Sequence, residues 1–178
     1  LIIPKSSGKD VIDAIESFQQ KYKVRNSKVV YDADGVGGFI GGDENGFIEG
    51  AIPFHNGSKA IDTGDERLFF NLKTQCFVYS GERAARGENY ISPKVANTMY
   101  DEKMTVRQRL LFERKAIKSK VKKDDEPTRL IPKDEMKRKY LNGTSPDLLD
   151  SYMMNEYLDI SPKTQRFGSK IIWKDLGL

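Results

Sequence analysis

Two aspartates separated by one residue, Asp32 and Asp34, follow the β-branched and aromatic run Val29-Val30-Tyr31, and glycines come at positions 35, 37 and 38. A carboxylate at the tip of a buried strand, with backbone beyond it that turns sharply, is a reactive group held rigidly. A second pair, Asp147 and Asp150, is spaced i, i+3 and falls on one face of a helix. Asp147 lies in the first helical turn, where the dipole favours a carboxylate, so capping explains it equally well. Asp150 is harder to explain, because Leu148, Leu149, Tyr152, Met153 and Met154 make the helix mostly apolar. An acid there needs a partner, and a divalent cation shared with Asp32 would supply one.

Other chemistries fit less well. Asp32-x-Asp34-x-x-Gly37 has the acids and glycine that open a calcium-binding EF-hand loop. Its fifth position is Val36, its twelfth is Asp43, and a strand precedes it where a helix should. Gly35-x-Gly37 begins a dinucleotide fingerprint, but the next glycine is Gly41 rather than one at position 40, and no helix starts there. A turn with solvated acids is the remaining structural reading. His55 is the only histidine, too few for a triad or a zinc cage, and reads as a loop residue. Cys76 lies on a helical apolar face and reads as packing. Arg114, Lys115, Lys118, Lys120, Lys122 and Lys123 form a basic run. It is either a solvated surface or one whose phosphate contacts would make binding salt-dependent.

The elements that must position these groups read as α/β. Leu1–Ile3 predicts a strand stopped by Pro4. A helix capped at Ser6 or Ser7 follows, with Val11, Ile12, Ile15 and Phe18 on one face, ending near Lys23. The Val29–Asp32 strand then completes a β-α-β unit and a parallel pair, whose C-terminal strand ends are where ligands gather. Gly41–Gly50 is a loop or short hairpin, Ala51–Phe54 a strand and His55–Ser58 a turn. Helical patterns run from Asp65 to about Arg86, with Leu68, Leu72, Gln75, Cys76 and Tyr79 on a face, and from Thr105 to Ile117. Arg129–Ile131 predicts a short strand and Lys133–Leu141 a helix capped at Asn142-Gly143. Thr144–Asp147 opens a last helix through Tyr157, and the residues after Pro162 form an extended tail with Trp173.

A chain of 178 residues with 38% hydrophobic and 31% charged residues forms about one soluble domain with a real core. No apolar run approaches membrane-spanning length, so no membrane partner is expected. A single cysteine rules out an internal disulfide. A net charge of +4 leans toward an anionic partner. The opening Leu1-Ile2-Ile3-Pro4, without an initiating Met, reads as a piece of a longer protein.

Four stretches taken in order resemble a known family: Val29–Gly37, Phe54-His55-Asn56-Gly57-Ser58, Asn71-Leu72-Lys73-Thr74-Gln75 and Leu141–Asp150. Together they look like the C-terminal nuclease domain of the large terminase subunit of tailed bacteriophages. The resemblance implies an RNase H-like mixed sheet flanked by helices over residues 1–160, with 161–178 as an extension. It implies a double-stranded DNA endonuclease that cuts concatemeric phage DNA, holding two Mg²⁺ or Mn²⁺ ions in a cluster of acids. Asp32 matches the family's central-strand acid and Asp147 its late-helix acid, with Asp150 and Asp34 as auxiliary ligands. Lys73, Arg83, Arg86, Lys118, Lys120 and Lys122 would receive the DNA backbone. Portal and small-subunit partners, and the cytoplasm of the infected or lysogenic host, follow by resemblance.

One departure stands out. The family's first acid lies on an earlier strand and has no counterpart here, so the chain is expected to lack its first strands and to hold an incomplete cluster. No phosphate-binding Gly-Lys-Ser or Gly-Lys-Thr loop occurs. A docking module of the same fold and an RNase H-like resolvase or transposase are the alternatives.

Overall fold

The computed structural model describes residues 7–34, 39–41, 47–120 and 125–161. The expected Leu1–Ile3 strand, Gly35, Val36, Gly37 and Gly38, Lys122 and Lys123, and the tail with Trp173 lie outside them.

Helix α1 (Gly8–Tyr22) starts where Ser7 and Asp10 satisfy each other's backbone N–H groups in a capping box. Strand β1 (Val30–Asp32) pairs in parallel with β2 (Ile52–Phe54), with Val30 opposite Ile52 and Asp32 opposite Phe54. The Ile52 N–H donates to Val29 and the Ala33 N–H to the Phe54 carbonyl, at 2.8 and 3.0 Å. Those bonds leave the nitrogen of Pro53, which carries no proton, facing the open edge.

Both faces of the pair are covered, as a parallel sheet requires. Tyr31 joins Ile12 of α1 with Ile40, Ile48 and Ala51 on one side. On the other, Val30 and Phe54 meet Leu72, Cys76 and Phe77 of α2 (Leu72–Ala85), Met153 of α6 (Asp147–Met153) and Tyr157 of α7 (Asn155–Ile160). Phe54 and Cys76 are completely buried. Between these helices in sequence come α3 (Pro93–Ala96), α4 (Val106–Arg114) and α5 (Lys133–Tyr140). Met136 and Leu141 pack there with Ala116 in a third cluster. Asn142 and Gly143 both adopt positive φ, 49° and 83°, ending α5 as its sequence predicts. Among the described residues no helix is long and apolar enough to cross a membrane.

Several boundaries differ from the periodicity. The helix expected from Asp65 begins only at Leu72, because the Asn71 side chain caps it by accepting from the Thr74 N–H at 2.9 Å. Leu68–Phe70 is extended instead, pairing through Phe69 with Thr128, so Leu68 is exposed rather than on the buried face. Helix α4 stops at Arg114 rather than Ile117, and the segment beyond forms an antiparallel bridge from Ser119 to Leu130. Arg114 therefore ends the helix, Lys115 caps it, and Lys118 and Lys120 lie on the extended chain beyond. The last helix is two: it breaks at Met154 and resumes to Ile160.

Candidate functional site

At the C-terminal ends of the strands, two acids are laced together by the turn after β2. Asp32 Oδ1 accepts from the Asp34 N–H at 3.0 Å and from the Asn56 side-chain amide at 3.0 Å. Asp34 accepts from the Asn56 N–H at 2.7 Å, and its other oxygen lies 2.9 Å from His55 Nδ1. His55, expected as a loop residue, does sit in the turn, and it also orients an acid. The His55 hydrogen bond, helped by the Asn56 N–H, holds the Asp34 carboxyl below the usual carboxylate range. Asp32 itself is exposed.

The second pair of acids meets lysines. Asp150, whose side chain is 17% exposed, lies between Lys73 of α2 and Lys133 of α5, with contacts of 3.0 and 3.2 Å. The Lys73 ammonium stands off the line a hydrogen bond needs, so Asp150 Oδ1 is paired by charge alone. Lys133 also reaches Asp147 Oδ1 at 3.1 Å. Burial pushes the Asp147 carboxyl up, but the Ser145 hydroxyl and Lys133 outweigh it and leave it below its usual range. Burial likewise works against the Lys133 charge, and Asp150 and Asp147 prevail and raise its pKa. Both lysines occupy first turns of helices, where the dipole disfavours a cation. The acids opposite offset that cost.

One residue joins the pairs. The Asn56 carbonyl accepts from the Lys73 N–H at 3.4 Å, while its amide holds Asp32. Asp34, Asp32, Asn56, Lys73, Asp150, Lys133 and Asp147 thus form one polar chain across the strand ends and the first turns of α2, α5 and α6.

Helix α6 has no side-chain cap of its own, since Pro146 precedes it. Glu113 of α4, completely buried, accepts from the Leu149 N–H at 2.7 Å in place of a cap. Its other oxygen accepts from Arg109 Nε at 2.6 Å, and Arg109 also donates to the Ser145 carbonyl at 3.0 Å. Burial pushes the Glu113 carboxyl up, opposed by the Arg109 hydrogen bond and the Leu149 N–H. This buried pair fixes the turn that carries Asp147 and Asp150.

Of the basic residues picked from the sequence that are among the described residues, only Lys73 enters this chain. Arg83 lies ten residues further along α2, about 15 Å at 1.5 Å per residue. It pairs there with Glu156 and Asp159 at 3.2 and 2.7 Å. Arg86 pairs with Glu88 at 2.6 Å. Lys118 and Lys120 are exposed on the extended segment after α4. Cys76 is packed in the core, its thiol pushed up to about 12 chiefly by burial, which removes it as a nucleophile. Sequence reasoning did not single out Asn56, Lys133 or the Arg109–Glu113 pair. Asn56 stood inside a quoted motif, and the i, i+4 spacing of Arg109 and Glu113 was the one signal for that pair.

Carboxylate oxygens are the right donors for a hard divalent cation. Among the described residues, however, no three His, Cys, Asp or Glu side chains gather into a group that could hold one. The acids form two half-sites, Asp32 with Asp34 and Asp147 with Asp150, joined through Asn56 and Lys73.

No protein-family model matches the chain. No curated protein matches it significantly in sequence. Its fold is similar to the nuclease domain of the large terminase subunit gp2 of bacterial virus Sf6, with a TM-score of 0.52. The match covers 81% of this chain and 70% of that one at 22% identity, so the likeness is one of fold. A terminase nuclease domain is also what the order of sequence motifs resembles.

Proposed function

We propose that this chain is a DNA endonuclease domain of the terminase type, hydrolysing phosphodiester bonds at the C-terminal ends of β1 and β2. The observation that carries the reading is that all four aspartates picked from the sequence fall in one polar chain there. The fold likeness to a terminase nuclease domain supports it. In this reading Asp32, Asp147 and Asp150 are the catalytic acids and Asp34 is auxiliary. Together they would hold two Mg²⁺ or Mn²⁺ ions, whose contribution is Lewis-acid stabilisation of charge on the scissile phosphate.

The chain's own residues do the rest. Asn56 orients Asp32, and Glu113 seats the helix turn that carries Asp147 and Asp150. Lys73 and Lys133 meet the phosphate as it approaches and offset its charge. Lys118, Lys120 and Lys122 contact the backbone further out, Lys122 from outside the described residues. Arg83 and Arg86 would join them only by leaving their acidic partners. An RNase H-like sheet, concatemeric DNA as substrate, portal and small-subunit partners, and the cytoplasm of an infected or lysogenic host belong to the same reading.

One observation favours a second reading, a non-catalytic DNA-binding or docking module. Asp147 and Asp150 are already neutralised by lysines, and three carboxylates do not converge among the described residues. Plasmid cleavage with Mn²⁺ separates the two readings, comparing this chain, an N-terminally extended version, and Asp32→Asn in whichever of them cuts. Metal-dependent nicking lost at least a hundredfold in Asp32→Asn, at unchanged thermal stability, is the expected result, roughly 3 kcal/mol of transition-state stabilisation. No cutting by either form, with DNA binding intact, establishes the module instead.

A further inference from the structure

Beside the acid site, three exposed cations and an exposed aromatic ring share one small surface. The Ser119–Leu130 bridge is antiparallel, with the Lys120 N–H donating to Arg129 at 2.7 Å and the Ile131 N–H donating to Lys118 at 2.9 Å. This register sets Lys120 directly across from Arg129, with Lys118 two residues along on the same face. Leu130 alternates to the other face and packs into the core. All three cations are exposed, and none forms an ion pair among the described residues. Like charges directly opposite on paired strands repel, so the arrangement is unfavourable until an anion meets it.

The ring is Phe70, 48% exposed although its neighbours lead straight into α2. The Arg129 guanidinium stacks on it, 3.9 Å from the ring centroid. The Phe70 N–H donates to the Thr128 carbonyl at 2.9 Å, which holds the ring against the strand that carries Arg129. A guanidinium stacked on an exposed phenyl ring, beside two lysines, joins a π-face to a row of backbone-binding charges. Proteins use that combination for bases that are not paired. Arg129 and Lys133 are four positions apart, a reach of at most about 14 Å. The surface therefore adjoins the acid chain.

We propose that Phe70, Arg129, Lys118 and Lys120 form a binding surface for single-stranded DNA, with an unpaired base stacked on the Phe70–Arg129 pair and the lysines on its phosphates. Bases inside a duplex present edges, not faces, so the ring has no role in duplex binding. The inference rests on the DNA-directed reading above for its substrate class only.

Fluorescence anisotropy of a labelled dT20 oligonucleotide and of a 20-base-pair duplex, in EDTA so that nothing is cut, tests it. Phe70→Leu weakens dT20 binding about tenfold and leaves duplex binding within twofold, while Phe70→Tyr restores dT20 binding. Lys118→Glu with Lys120→Glu weakens both probes and flattens their salt dependence. The melting temperatures of the variants identify any that misfold. Unchanged dT20 affinity in folded Phe70→Leu overturns the proposal even if the wild type cuts plasmid. A Phe70-dependent preference for dT20 sustains it even if plasmid stays intact.

Discussion

The tip of β1 and the start of α6 each present two aspartates, yet the chain treats them in opposite ways. Asp32 and Asp34 are held by an amide, backbone N–H groups and an imidazole, with no lysine or arginine against them among the described residues. Asp147 and Asp150 face two ammonium groups within 3.2 Å. The first pair keeps most of its charge available for an incoming cation. The second has spent that charge internally and offers its lysines to an incoming phosphate. Identical residue types at similarly short spacing thus become different chemical objects, because one pair ends a strand and the other begins a helix packed on two more helix ends.

The most severe way to break the comparison is to unseat one side alone. Glu113→Ala leaves Arg109 buried without its partner and the Leu149 N–H without an acceptor. Removing one member of a buried ion pair costs about 3–5 kcal/mol. In a chain of this size that lowers the melting temperature by roughly 10 °C. Denaturant unfolding checks it, and a loss under about 1 kcal/mol would show that α6 is seated by its apolar face instead.

A gentler change brings the two sides closer while leaving Lys73 on Asp150. Lys133→Met strips the shared cation from Asp147 and Asp150. Lys133 is 43% exposed, so the stability cost is at most about 1 kcal/mol. Mn²⁺ affinity, read by calorimetry, tightens by roughly fivefold, the worth of one unit charge a few ångströms away near water. Unchanged affinity would mean that the helix acids take no part in binding the ion.

This contrast also marks how far the sequence could be read. The strand tip was legible, because a β-branched run ending in an acid before glycines is a local pattern. So were α1 and α5, each specified by caps, spacing or turn residues close in the chain, whereas the parallel pairing expected between Leu1–Ile3 and β1 lies outside the described residues and β1 pairs instead with β2. The helix from Asp65 was misread because periodicity alone does not reveal that Asn71 stops it from extending backwards, nor that Phe69 pairs with distant Thr128. The partner of Asp150 was correctly required, since a half-buried acid on an apolar helix needs one. Which partner it is depends on α2 and α5 arriving from 77 and 17 residues away, and no local pattern encodes that.

The finest test separates hydrogen bonding from charge as the cause of two similar shifts. Asp34 and Asp147 both titrate below the usual carboxylate value of 3.8. A depressed carboxyl contributes stability that is present above that unfolded value and lost as pH falls through the folded one. For Asp34 the largest cause is the His55 hydrogen bond, so His55→Ala returns its midpoint toward 3.8. For Asp147 the favourable causes are the Ser145 hydroxyl and Lys133, and the charged part is screened by salt. Side-chain carboxyl NMR titrations at low salt and in half-molar NaCl therefore diverge. Asp147 moves up toward 3.8 in salt and Asp34 moves less, because a hydrogen bond carries most of its shift and the His55 charge only a part, and both shifts are worth well under 1 kcal/mol because the groups are 70% and 43% exposed. If salt moved Asp34 as far as Asp147, the strand tip would be held by charge after all, and the distinction between the two pairs would collapse.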